Sequence, residues 1–246
     1  MKKIVLCMFF SQKLYASEGV TWYSLVKEQV ALPEHVVTCF LVGLLLTCFG
    51  LVYRYKLFKN KNVVYPDRAI TFRNIVDIYG KFIMSQAIAI LGEDRAKKYF
   101  SFIATIFILI LLSNLVGLVP GFLPPTEHVS TTLALGLFSF IYYNYKGVRA
   151  NGVVNYLKHF AGPMWYLAIL IFPIELISHC FRPITLALRL RGNIMGDHLV
   201  LSTFYSMTPW IIPIFFLTFG ILVSIVQAYV FTILSMVYIS LATSHD

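Results

Sequence analysis

Apolar residues fall in long blocks along this chain, separated by shorter polar connections. His35 to Tyr55 is a nearly unbroken block of about 20 residues, the length a helix needs to cross the ~30 Å hydrocarbon core of a bilayer. Tyr99 to Val119 is a second, closed by Pro120, Gly121 and the Pro124–Pro125 pair, and Thr131 to Tyr145 is a third. The last two blocks are too long for a simple crossing: as helices, Pro163 to His198 would run about 54 Å and Pro209 to Thr243 about 52 Å. Either Pro173 and Pro183 break the first of these, or both helices tilt steeply. Between the first two blocks, Ile75, Ile78, Phe82 and Ile83 recur at helical spacing within Ile70 to Leu91. That pattern predicts an amphipathic helix lying on the membrane surface or packed against the bundle. The reading is an all-α membrane protein with five transmembrane helices (35–55, 99–119, 131–145, 163–198 and 209–243) and one surface amphipathic helix. The last two spans pair as a long, steeply tilted hairpin. No internal repeat is visible, which leaves an inverted-repeat transporter without support.

Composition agrees with that reading. The 246 residues are 59% hydrophobic and 13% charged, roughly half the charged share of a soluble domain. The net charge of +9 does not point to nucleic acid, because the basic residues sit in the connections and form no soluble basic module. Between Arg54 and Lys98 there are ten Lys/Arg against four Asp/Glu, which places that connection in the cytoplasm. The 120–130 connection has no Lys or Arg, the next carries Lys146, Arg149 and Lys158, and the 196–209 connection again has none. This alternation predicts an outer N-terminus and a cytoplasmic C-terminus.

Residues 1–17 begin with two lysines and an apolar run from Ile4 to Phe10. They read as a signal-like segment cleaved after Ala16 or retained, with Leu14 a poor fit at the −3 position; residues 18–246 then form a single integral membrane domain. Cys7, Cys39, Cys48 and Cys180 lie in or beside apolar segments without ligand spacing and are expected to be small buried hydrophobes. No histidine pair has ligand geometry, and there is no nucleotide loop or nucleophile elbow, so no metal, cofactor or catalytic site is expected.

The chemistry concentrates in Pro173 to His198, PIELISHCFRPITLALRLRGNIMGDH. An ionisable group at membrane depth costs about 2.5–3.5 kcal/mol on insertion scales, so each one is a functional candidate. At 100° per residue, Glu175, Arg182, Arg189 and Asn193 share one stripe, with His179 and Asp197 at its edge and Arg191 on the opposite side. Arginine stays charged and needs a carboxylate or water beside it. Glu175 lies roughly 21 Å along the helix from Arg189, too far for contact, so a partner from another subunit is implied. Glu175, His179, Asp197 and His198 can each carry protons, with a hydrogen-bonded structural role the expectation for His179. Asn193 and Gln227 are amides able to cross-bond between helices. Arg182, beside Pro183, is expected to snorkel toward the cytoplasmic interface.

These residues resemble subunit a of the F-type ATP synthase. The resemblance rests on RPITLALRLRGNIMGDH (182–198) and VQAYVFTILSMVYISLA (226–242), with support from SNLVGLVPG (113–121) and STTLALGL (130–137), and covers roughly residues 70–246. It implies a non-catalytic, proton-translocating stator subunit with two offset half-channels. Its partners would be the c-subunit ring, the b-subunit stalk and the rest of the synthase, in a bacterial inner membrane. The resemblance puts Arg189 at the arginine facing the ring and separating the half-channels. It puts Glu175, Gln227, Asn193 and His198 at polar channel positions. Four residues depart from the family pattern. Gly220 stands where a His or Glu often pairs with the position of His198, and Asp197, where a small residue is usual, is the expected compensation. Gly117 stands where an acid is common. Arg191 replaces a large apolar residue and is expected to meet lipid headgroups, water or a neighbouring subunit. The choice of proton over sodium lies largely in the c subunit. Two readings compete: a stand-alone secondary transporter with an intramembrane anion site, and a purely structural membrane anchor.

Overall fold

A computed structural model describes residues 33–59, 71–119, 122, 124–153, 156, 168–207 and 212–243. The signal-like segment 1–17 and the first residues of the last two predicted spans lie outside them. Among the described residues the chain forms six α-helices: α1 Glu34–Lys59, α2 Phe72–Leu91, α3 Glu93–Gly117, α4 Val129–Asn151, α5 Ala168–Met207 and α6 Ile212–Thr243. A 3₁₀ turn, Pro125–Glu127, precedes α4. The protein is an all-α membrane protein.

Gly92 joins α2 to α3 alone. Its φ of 81° is a conformation that side chains rarely adopt. Its N–H closes the last turn of α2 on Ile88 and its carbonyl opens α3 by accepting from Ala96. The two helices then run back along each other, tied by Tyr79 Oη donating to the Ala104 carbonyl at 2.6 Å.

Among the described residues, five helices are long and apolar enough to cross a membrane: His35–Leu57, Phe72–Leu91, Glu93–Gly117, Ile171–Leu201 and Phe215–Thr243. The second of these is the helix read from the sequence as amphipathic. It packs on α3 and α6, burying Ile83, Ala87 and Leu91 while Ile75, Ile78 and Phe82 face outward. α4 is more polar than these five and packs against both α5 and α6. Its polar residues are used in that packing: Ser139 meets Ser235 of α6 at 3.1 Å, both buried. Between membrane helices, such hydrogen bonds and close backbone approach replace the hydrophobic effect as the source of cohesion. One such close approach is at Gly136, where an added Cβ would stand 2.6 Å from the Pro183 carbonyl oxygen of α5.

α5 and α6 are an antiparallel hairpin in fixed register. Phe204 stacks on Phe216, Asn193 bonds Gln227, and Arg182 lies over Tyr238; the numbers of each pair add to the same total. Pro173 and Pro183 both lie inside α5, which continues through them for 40 residues. At ~1.5 Å per residue that is about 60 Å, twice the hydrocarbon core.

The expectation of buried cysteines is corrected. Cys39, Cys48 and Cys180 are free and exposed on the perimeter, because α1 and this face of α5 turn most of their apolar surface outward.

Candidate functional site

The polar residues of α5 divide into three levels along the helix. At the first, Arg182 donates to Glu175 Oε1 at 3.1 Å, two turns back on the same helix. The guanidinium also lies 5.1 Å from the Tyr238 ring centroid, a face that attracts cations. The side chain thus reaches back along α5 toward Glu175, with Pro183 buried next to it. Beside this pair, His179 is buried, its Nε2 2.7 Å from Asn144 Oδ1. Tyr156 donates to the same oxygen at 2.6 Å. Burial pushes the Tyr156 hydroxyl pKa up, although the Arg182 charge opposes this, so it stays a neutral donor. A pocket of about 80 Å³ opens among Glu175, Arg182, His179 and Tyr238.

Arg189 stands alone at the second level. It is exposed, on the outward side of α5 beside exposed Leu188, and makes no ion pair or hydrogen bond among the described residues. Leu186, Ala187 and Leu190 face inward and anchor the helix around it.

At the third level Asn193 donates to Gln227 Oε1 at 2.6 Å. Gln227 is buried, while Asn193 borders a groove of about 460 Å³ between α5 and α6 that Asp197, Gly192 and Gly196 also line. The absence of side chains at the two glycines keeps this groove open. Replacing Gln227 by Leu should remove about 1 kcal/mol of interhelical bonding and lower the thermal midpoint of the solubilised protein by roughly 2–4 °C. An unchanged midpoint would mean that the bond contributes nothing to the hairpin.

His198 turns away from that groove. Its Nδ1 is 3.7 Å from Glu127 Oε2, on the 3₁₀ turn. Arg191 reaches the same turn, donating from Nε to the Glu127 carbonyl at 3.1 Å. This corrects the expectation that Arg191 meets lipid, water or another subunit. It does point away from the Arg189 stripe, but on that face α5 packs against the Pro125–Glu127 turn. The structure thus pairs Glu175 with Arg182, Asn193 with Gln227 and His198 with Glu127, and leaves Arg189 outside all three pairs. Glu127 escaped the sequence reading. The available signal was modest: it is the sole acid in a connection without Lys or Arg.

A family model described as ATP synthase A chain matches residues 36–240. An ATP synthase subunit a from Bdellovibrio bacteriovorus is 42% identical over 212 residues, covering 86% of this chain and 92% of that one. The ATP synthase subunit a of Helicobacter hepaticus is 45% identical over 167 residues, 68% of this chain and 74% of its own. An ATP synthase subunit a 1 from Syntrophotalea carbinolica is 41% identical over 206 residues, 84% of each.

Proposed function

The chain belongs to the ATP synthase A chain family, and from that premise we propose that it is the proton-translocating stator subunit of a rotary F-type synthase. It is a non-catalytic, multi-pass subunit of the bacterial inner membrane, with its N-terminus outside and its C-terminus in the cytoplasm. The outward face of α5 and α6 meets the ring of c subunits, and the b-subunit stalk holds the chain still against rotation. One half-channel reaches the ring from the cytoplasmic side past Glu175. The other reaches it from the outside past His198, Asp197, Asn193 and Gln227.

The observation that carries this reading is Arg189. A guanidinium on an exposed apolar surface, with no acid beside it among the described residues, calls for a carboxylate brought from outside. A ring carrying one acid per c subunit supplies such a carboxylate repeatedly. The fixed positive charge keeps each arriving acid ionised and blocks direct passage between the two half-channels. The stand-alone transporter reading is disfavoured by the same residue, since Arg189 lines neither of the pockets described above.

Passive proton conduction through membranes stripped of the ATP-hydrolysing sector tests the inner half-channel. Glu175→Gln keeps the shape and the contact with Arg182 but removes the titratable group, and should lower conduction by about tenfold or more. Conduction at the wild-type rate would make Glu175 a structural partner of Arg182 only.

A further inference from the structure

The 3₁₀ turn Pro125–Glu127 is clamped from several sides. Pro124, Pro125 and Thr126 are buried, and Thr126 Oγ1 donates to Asn114 Oδ1 of α3 at 2.9 Å. Pro124 fills the space beside Gly117, where an added Cβ would stand 2.6 Å from its ring. Arg191 holds the backbone of Glu127 itself. The Glu127 side chain is 28% exposed and that of His198 20%. Oε2 of Glu127, the atom facing the imidazole, is buried and accepts no hydrogen bond among the described residues. Its 3.7 Å separation from Nδ1 is less than 1 Å beyond hydrogen-bond length.

The helices on either side leave this place to the turn. An acid at 117 would collide with Pro124, and a Cβ at 220 would stand 2.8 Å from Leu118 Cδ2. The remaining charged or titratable groups nearby have other placements. Arg191 bonds the Glu127 carbonyl, His128 is exposed and lies against the His35 ring at 4.4 Å, and Asp197 lines the groove. Glu127 is thus the carboxylate placed to exchange a proton with His198.

We propose that Glu127 and His198 form the outer proton relay of the chain, with Arg191 as the positioning residue that keeps the turn in place. The proposal rests on the half-channel reading above and adds to it a residue outside the helices. In the inward direction, Glu127 takes a proton from outer water and passes it from Oε2 to Nδ1 of neutral His198. Glu127 is left as a carboxylate. The imidazolium releases its Nε2 proton to water on the way to the ring and changes tautomer before the next transfer. Pumping driven by ATP reverses these steps.

The test uses membrane vesicles carrying the assembled synthase and compares wild type, Arg189→Ala, Glu127→Gln, His198→Gln and the Glu127→Gln/His198→Gln double variant. Glu127→Gln should assemble normally and cut both passive conduction and ATP-driven pumping by about tenfold or more. The double variant should be no slower than the slower single one, since two members of one relay are lost only once. A merely structural Glu127 would compound the two losses, and that result overturns the relay. So does wild-type conduction in Glu127→Gln while Arg189→Ala blocks pumping, an outcome that leaves the stator reading intact. Normal pumping in Arg189→Ala would instead bring down the stator reading. If Glu127→Gln fails to assemble, Glu127→Asp decides. Drawing the acid back by one carbon should slow a relay by about threefold or more, whereas flux per complex equal to wild type overturns it.

Discussion

Replacing Arg189 by alanine is expected to abolish ATP-driven proton pumping while the synthase still assembles. The side chain is exposed and has no hydrogen bond or ion pair within the described chain, so removing it takes no support from the bundle. Its removal should even relieve the roughly 2.5–3.5 kcal/mol that a charge costs at membrane depth. A loss of about a hundredfold in rate would correspond to about 2.7 kcal/mol of stabilisation of the passing ring carboxylate. Arg189→Lys keeps a charge but loses the planar fork that engages a carboxylate at two points, and should retain only a small fraction of pumping. The measurement is acidification of inverted vesicles on adding ATP, normalised to the amount of assembled complex. Pumping by the alanine variant at the wild-type rate would leave the half-channel reading without its central residue.

Gly136→Val should remove the protein from the membrane. The atom in its way is a backbone oxygen, that of Pro183 at 2.6 Å, and a backbone atom inside a packed helix cannot swing aside as a side-chain tip can. α4 and α5 would have to separate. Overpacking alone costs about 1–3 kcal/mol. The separation would also stretch the Asn144–His179 contact, 2.7 Å in the native bundle, and open the pocket beside Glu175. Alanine should show the milder form of the same defect. Chain abundance in membranes and the thermal midpoint of the solubilised complex measure both, and a valine variant matching wild type in both would refute the close approach of the two helices.

The legible part of this molecule was what one helix says about itself. That Arg189 and Asn193 lie on one side of α5 and Arg191 on the other follows from 100° per residue. What each side faces does not. Arg191 was rightly set opposite the stripe, yet the surface it meets is supplied by Glu127, 64 positions earlier in the chain. Periodicity in α2 grouped Ile83 with Ile75, Ile78 and Phe82, yet Ile83 is buried against the bundle while the other three face outward; both faces are apolar, so the pattern could not separate them. Arg182 was within reach, two turns from Glu175. Nothing local announced that Tyr238 from α6 would offer it a ring at 5.1 Å. Whether Pro173 and Pro183 break α5 stays open from sequence, because their cost is judged locally; α5 runs through both, since in lipid there is no water to reward an opened helix. Glu127 lay in a connection, and its partner became visible only when the turn was seen folded against α5.

The constant register of the α5–α6 hairpin restricts how this part of the chain can change in length. Deleting one residue between Asn193 and Phe204 would rotate the helix beyond it by about 100°. Phe204 would then leave Phe216, or Asn193 would leave Gln227. The same holds between Arg182 and Asn193, and on α6 between Phe216 and Tyr238. Insertions and deletions are therefore admissible in the connection between Met207 and Ile212 and beyond the two ends of the hairpin, whereas the paired stretch is open to substitution alone.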